Sequence, residues 1–341
     1  MPVPPTVSVS TAPSSTAPSF TAPSTAGSAA VSPAFQELRA TLVLFSREKL
    51  AEGASAVLIK ARVGQQEWTH AAGVRSRDGL VMVQTNDRFH VGDQLRVMLA
   101  VSVMKLVEEG RLRLDDAVAT HLPGSLATGS SVTIRQLLDD TAVLPAAPSP
   151  QADALLGLLV EQLRRAPLEA VLRTDILTPL NLGATLLLDT DDAVPVDLVH
   201  GYVQLGGEIV DVTSPAASIE GTSAGLVTTV EDMGTFYAAL LRGQLLSPPG
   251  LIAMKRAVFD DYGLGLDHWD DRCTNGSYYG HAGDVPGYGS IAMSSADGNR
   301  QLAVFMAYPP GPVSTQPSAL ALEMTGVAQV ALNSGCRFQF R

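Results

Sequence analysis

The sequence predicts an α+β fold: an antiparallel sheet built from both ends of the chain and flanked by helices, with a mainly helical subdomain inserted. Two observations predict it. Short apolar runs of strand length lie near both ends, Ala56-Val57-Leu58-Ile59 at one and residues 290–294 and 302–308 at the other. Between them, over roughly residues 93–200, the apolar positions recur mostly at helical spacing.

Each element has its own signal. Residues 33–52 carry Phe35, Leu38, Leu42 and Leu44-Phe45 as the apolar stripe of a first helix. Ala56-Val57-Leu58-Ile59 and residues 68–74 read as strands beside it. Residues 89–110 begin extended, turn at Gly92 and continue as an apolar helix that stops at Gly110. Thr133 is placed to cap a helix over Ile134-Arg135-Gln136-Leu137-Leu138. Residues 155–163 and 167–177 are two further helices. Residues 223–229 read as a strand leading into a helix capped by Thr229, with Glu231 and Asp232 in its first turn. Tyr262-Gly263-Leu264-Gly265-Leu266 reads as a strand with glycine kinks. Tyr278-Tyr279-Gly280-His281-Ala282-Gly283 opens a final meander, and a helix covers residues 318–333.

Composition bounds the partners. The chain has 341 residues, 46% hydrophobic and 17% charged, enough to bury a substantial core. A net charge of -11 argues against nucleic acid or an anionic membrane and leaves a small molecule as the expected partner. Oligomeric state is not legible. No segment has the length and apolarity of a membrane span. Met1-Pro2-Val3-Pro4-Pro5-Thr6 lacks the basic start and apolar run of a signal peptide, which predicts a cytoplasmic protein. Cys273 and Cys336 are the two cysteines; they form a disulfide in an exported protein or stay as two thiols in a reducing compartment. Neither has metal-ligand spacing, and no metal or other cofactor is expected.

Residues 1–32 are Thr, Ala, Pro and Ser for the most part, and Thr-Ala-Pro-Ser recurs from Thr11, Thr16 and Thr21. Such a segment has too little to bury to offset its ordering entropy, and a disordered tail is expected before a domain at residues 33–341.

An ordered set of motifs runs through that domain. It comprises Phe-x-Val-Gly at residues 89–92, Leu-Val-Glu-Glu-Gly at 106–110, Arg-Leu-x-Leu-Asp-Asp at 111–116, Leu-Pro-Gly at 122–124 and Val-Thr-Ile-Arg-Gln-Leu-Leu at 132–138. Pro-Leu-Asn-Leu at 179–182, Thr-x-Glu-Asp at 229–232, Tyr-Gly-Leu-Gly-Leu at 262–266 and Gly-His-Ala-Gly-x-x-x-Gly-Tyr at 280–288 complete it. Together they resemble the serine β-lactamase superfamily. The nearest groups are class C β-lactamases, D-alanyl-D-alanine carboxypeptidases of Streptomyces type and related esterases.

The resemblance implies three site elements: a Ser-x-x-Lys at the start of the central helix, a Tyr-x-Asn supplying a base phenol, and a Lys/His-Thr/Ala/Ser-Gly on an inner strand. Backbone N–H groups of the nucleophile and of that strand would form the oxyanion hole. In the family's frame, Asp93 takes the serine position and Arg96 the lysine position. The Tyr-x-Asn register falls on Pro148-Ser149-Pro150. His281-Ala282-Gly283 keeps the third element, followed by Gly287 and Tyr288. The site residues expected on this frame are Asp93, Arg96 and His281 for chemistry, with Gly283, Tyr288 and Ser149 beside the substrate.

A Ser-x-x-Lys does occur, Ser102-Val103-Met104-Lys105, but its register makes it a decoy. Ser102 follows Asp93 by nine positions on one helix, about 900° of rotation and roughly 13 Å of rise, so it faces away.

The residues then set the chemistry. Asp93 has no proton to lose at neutral pH, and Arg96 stays protonated and cannot act as a base. Three apart on a helix, the two can pair as a salt bridge in a retired site. Alternatively the cleft is reused: Arg96 holds an anion and His281 moves protons, giving non-covalent acid–base catalysis of isomerase or cyclase type in specialised metabolism. A silent binding or scaffold protein, and an atypical serine hydrolase or transacylase using Ser102 or Ser149, are the competing readings.

Overall fold

The structure, a computed structural model, describes Met1 and residues 31–77, 81–126, 130–144, 152–214, 225–258, 261–313 and 318–336. The Thr-Ala-Pro-Ser repeats and Ser149 lie outside them.

Helix α1 (Pro33–Ala51) starts where the Ser32 side chain accepts the Phe35 N–H, with proline at its first turn. Phe35, Leu38, Leu42 and Phe45 are buried. Leu44 is exposed, contrary to the expected stripe, because it lies about 200° around the helix from Leu42. Strands β1 (Ala56–Val63) and β2 (Gln66–Gly73) follow, then the short β3 (Phe89–His90) and α2 (Gln94–Glu108). The helical stretch continues with α3 (Val118–His121), α4 (Ile134–Leu138), α5 (Ala152–Arg164), α6 (Leu168–Leu172), a π-helical turn (Arg173–Leu177) and α7 (Thr178–Leu180). Thr133 caps α4 in a reciprocal capping box with Gln136.

Short strands interrupt this region: β4 (Leu186–Leu187), the hairpin β5 (Tyr202–Leu205) and β6 (Glu208–Asp211), and β7 (Leu226–Thr228). Helix α8 (Val230–Leu241) is capped by Thr229, whose side chain accepts the Asp232 N–H. After α9 (Pro248–Lys255) come β8 (Asp267–Asp271), β9 (Gly276–Val285), β10 (Tyr288–Ser295), β11 (Arg300–Ala307) and α10 (Ala319–Leu332). Tyr262-Gly263-Leu264-Gly265-Leu266, expected as a strand, is a connection whose one β-bridge among the described residues joins Tyr262 to Asp267.

The main sheet has the order β2-β1-β11-β10-β9-β8, every pair antiparallel, so strands from both parts of the chain join in one sheet at the β1–β11 pair. One face is covered by α1 and α10, through Leu38, Phe45, Met324 and Ala328 against Val57, Ile59, Ile291 and Val304. The other carries α2 and α8, with Leu58, Ala292 and Phe305 in one cluster with Leu95, Met98, Phe236 and Tyr237. The α2 residues Leu95, Val97, Met98, Leu99, Ala100, Val101 and Val103 are fully buried, the state a helix apolar on every side requires. Truncating one of them, Leu99→Ala, carries a cost of about 2–5 kcal/mol.

Cys273 and Cys336 form a disulfide that ties the β8–β9 connection to the segment after α10. Among the described residues, no helix is long and apolar enough to cross a membrane.

Candidate active site

Two glycines let the start of α2 press against β9. A Cβ on Gly283 would lie 2.0 Å from the Val91 carbonyl oxygen. Gly92 sits at φ +53, and a Cβ there would meet Val285 Cγ1 at 2.7 Å. Side chains fasten the junction. Gln94, fully buried, donates from Nε2 to the His281 carbonyl at 2.7 Å, and Tyr237 donates to Gln94 Oε1 at 2.5 Å. Ser290 Oγ donates to the Val91 carbonyl at 3.0 Å.

The junction presents Asp93 at the N-terminus of α2. Its carboxylate does not cap the helix. Instead Oδ2 lies 3.4 Å from the Asp284 backbone N–H, a long contact at the inner strand. Among the described residues, no cation lies within ion-pair distance of Asp93. Burial pushes the nearby Asp284 carboxyl above its usual range, with the Asp93 charge adding to it, against hydrogen bonds from Ser318 and Tyr308.

Arg96 does not pair with Asp93. Its Nε lies 2.9 Å from Asp153 Oδ1 and its Nη1 2.9 Å from Asp140 Oδ1. The reason is the direction of its side chain: on α2 it points toward α5, where Asp153 is buried, and toward the Asp140 turn after α4. Burial opposes its charge, but Asp153, Tyr262 and Asp140 outweigh that and hold it protonated.

His281, on β9, is buried. Its Nδ1 hydrogen-bonds the Ala282 carbonyl, which can only accept, so Nδ1 carries the proton of the neutral ring. Nε2 then faces Tyr262 Oη at 3.1 Å as the acceptor. The Arg96 guanidinium lies close enough to the Tyr262 phenol to favour its ionised form. Burial pushes this phenol well above its usual range, against the pull of the Arg96 guanidinium. Arg96, Tyr262 and His281 are therefore successive neighbours between the start of α2 and the inner strand.

Tyr262 carries no role in the sequence reading. Its signal is in the two glycines that follow it. A Cβ on Gly265, at φ +74, would meet Ala100 Cβ at 2.9 Å, and one on Gly263 would meet the Met254 carbonyl at 2.4 Å. Gly265 N–H also donates to the Leu138 carbonyl at 2.9 Å. The segment can lie against α9 and α2 only because these residues lack side chains, and that brings Tyr262 near Arg96.

The other expected residues separate. Tyr288, expected beside the substrate, is 1% exposed, and its hydroxyl donates to the Val199 carbonyl at 2.9 Å. Its ring fills the space a Cβ on Gly201 would need, so it is a packing residue. Ser102 is fully buried inside α2, and its Oγ has no hydrogen-bond partner among the described residues. Lys105 is turned away, with Nζ donating to the Asp175 carbonyl at 2.8 Å. Among the described residues, no group of three or more His, Cys, Asp or Glu side chains could hold a metal ion.

The comparisons agree with this antiparallel sheet and the buried central helix that starts at its inner strand. The sequence profile of the Beta-lactamase family matches residues 46–322, so the chain belongs to that family. The penicillin-binding-type protein PbpX of Bacillus subtilis (strain 168) is 22% identical over 283 residues, covering 74% of this chain and 70% of PbpX. Among solved structures, a D-stereospecific amidohydrolase from Streptomyces sp. is similar with 25% identity and a TM-score of 0.68, covering 79% of this chain and 94% of that one. The D-amino acid amidase from Ochrobactrum anthropi SV3, complexed with D-phenylalanine, shares the fold at 18% identity and a TM-score of 0.71, covering 87% and 99% of the two chains.

Proposed function

We propose that this β-lactamase-family protein has exchanged serine acyl transfer for proton-transfer chemistry on a small organic metabolite, of isomerase or cyclase type, with no covalent intermediate. The observation that carries this reading is the 3.1 Å contact between Tyr262 Oη and His281 Nε2, with Arg96 near the phenol. A phenol facing the unprotonated Nε2 of an imidazole can give its proton to that nitrogen as it takes one from a substrate carbon, and the same proton returns through the phenol when the substrate is reprotonated. The position aligned with the family's serine holds Asp93, which supplies no hydroxyl.

The test is hydrogen exchange in D2O. A panel of small carbonyl compounds and carboxylic acids is incubated with the protein, and C–H exchange is followed by proton NMR. Exchange that depends on Tyr262 and His281 supports the reading. A serine acylated by benzylpenicillin or a fluorophosphonate, seen as an intact-mass adduct, sinks it and restores the hydrolase reading.

One observation favours a second reading, a silent binding protein. The Asp93 carboxylate lies against the Asp284 N–H, a donor that an oxyanion would otherwise use. Ligand binding without exchange or turnover would select it.

The setting is also a proposal. A cytoplasmic setting in specialised metabolism is one reading of where such a cleft would serve. The Cys273–Cys336 bond supports an oxidising compartment instead, since disulfides persist there.

A further inference from the structure

The chain has four lysines, and all four lie among the described residues. Three are held by oxygen. Lys49 pairs with Glu52 and Glu323, Lys60 with Glu67 and Glu231, and Lys105 donates to the Asp175 carbonyl. Lys255, at the end of α9, is the exception. Its ammonium lies over the Tyr279 ring, 4.3 Å from the centroid, and among the described residues it has no carboxylate partner.

Its position relates it to the candidate site. Tyr279 and His281 are two apart on β9, so they share a face, about 7 Å apart along the strand. The end of α9 also touches the Tyr262 segment, where Leu264 N–H donates to the Met254 carbonyl at 3.0 Å. His268 meets the Tyr279 ring edge-on at 4.8 Å, and its Nε2 has no hydrogen-bond partner among the described residues. The Lys255 ammonium, a group able to donate to an anion, thus lies over an aromatic ring next to the proton-transfer pair. A half-buried ammonium without a counter-charge is costly to keep, and burial lowers the Lys255 pKa accordingly.

We infer that Lys255 is the anion-binding residue of this cleft, and that the substrate carries a carboxylate seated on Lys255 and Tyr279 while its reacting carbon lies toward His281 and Tyr262. The inference rests on the acid–base reading above for what happens at the reacting carbon, but the carboxylate subsite is read separately.

The experiment uses the full chain with its lysines reductively methylated with carbon-13, the Lys255 signal being assigned from its loss in Lys255→Gln. Phenylacetate is the probe. The expected result is a saturable shift of the Lys255 methyl signal, an upward move of its titration on binding, and static Lys49, Lys60 and Lys105 signals. Isothermal titration should show phenylacetate binding at least tenfold weaker in Lys255→Gln and within twofold of wild type in Arg256→Gln, a neighbouring exposed cation. A Lys255 signal that does not saturate, or equal losses in the two variants, overturns the inference. If the shift saturates but Tyr262→Phe leaves D2O exchange intact, the carboxylate subsite stands and the acid–base reading falls.

Discussion

Tyr262 Oη lies 3.1 Å from His281 Nε2, although the two residues come from different segments and only His281 is on a sheet strand. The contact exists because Gly263 and Gly265 allow the Tyr262 segment to lie against α9 and α2. Removing the phenol is therefore the most direct probe of the site. Tyr262→Phe should lower the exchange activity by about 10²-fold or more while costing about 1 kcal/mol of stability. Nitrogen-15 shifts of His281 should report loss of the hydrogen bond at Nε2, while Nδ1 keeps its proton on the Ala282 carbonyl. Unchanged exchange with altered shifts would make Tyr262 a structural residue.

Ser102 offers the opposite test. Its hydroxyl is buried without a partner among the described residues. Ser102→Ala should leave activity unchanged and raise stability by about 1 kcal/mol, measured by urea denaturation. Loss of activity in this folded variant would make Ser102 a reacting group.

The two kinds of glycine in the chain should respond in opposite senses. Gly283→Ala would drive a Cβ into the Val91 carbonyl and should destabilise by about 3 kcal/mol. Gly326 lies within α10 and has open space where a methyl group would stand, so Gly326→Ala should stabilise by about 1 kcal/mol. Thermal melts of the two variants give the comparison.

Asp284 predicts a pH dependence. Burial raises its folded pKa, so the folded state holds this proton at a pH where the unfolded chain has released it. Its stabilising contribution is complete below the ordinary carboxylate range and is lost as pH rises through the folded value. The melting temperature of wild type relative to Asp284→Asn should therefore fall as pH rises from about 4. A difference that is flat with pH would show that the carboxyl titrates as it does in the unfolded chain.

The disulfide closes a span of 63 residues, which corresponds to about 4 kcal/mol of unfolded-state restriction. Reduction should lower the melting temperature, and Ellman's reagent should find no free thiol before it. Two titratable thiols in the unreduced protein would contradict the bond.

Much of the architecture is readable in the sequence because its signals are local. The apolar β1 run, the Thr133 and Thr229 caps and the apolar run from Val97 to Val101 on α2 each sit within a few residues. The hairpin β5–β6 is absent from the sequence reading, although Gly206-Gly207 is the pair expected in a two-residue turn. The site is harder to read. Arg96 and Asp93 are three apart, and helix spacing favours pairing them, yet Arg96 finds Asp140 and Asp153 on other elements. Spacing along one helix cannot report a partner supplied by tertiary packing. Tyr288 shows the same limit, since a motif position does not tell whether a ring faces the cleft or Gly201.

The pairing of β1 with β11 has a consequence for synthesis. Val63 is opposite Arg300 and Ala56 opposite Ala307, so β1 meets its inner neighbour only after some 240 further residues have been made. At ~5–20 residues per second, a ribosome takes on the order of tens of seconds to supply them. Through that interval the nascent chain holds a hairpin with one bare, apolar edge, the kind of surface that pairs with a neighbouring chain. Translation rate and chaperone capacity should thus govern the soluble yield of this protein more than its final stability does.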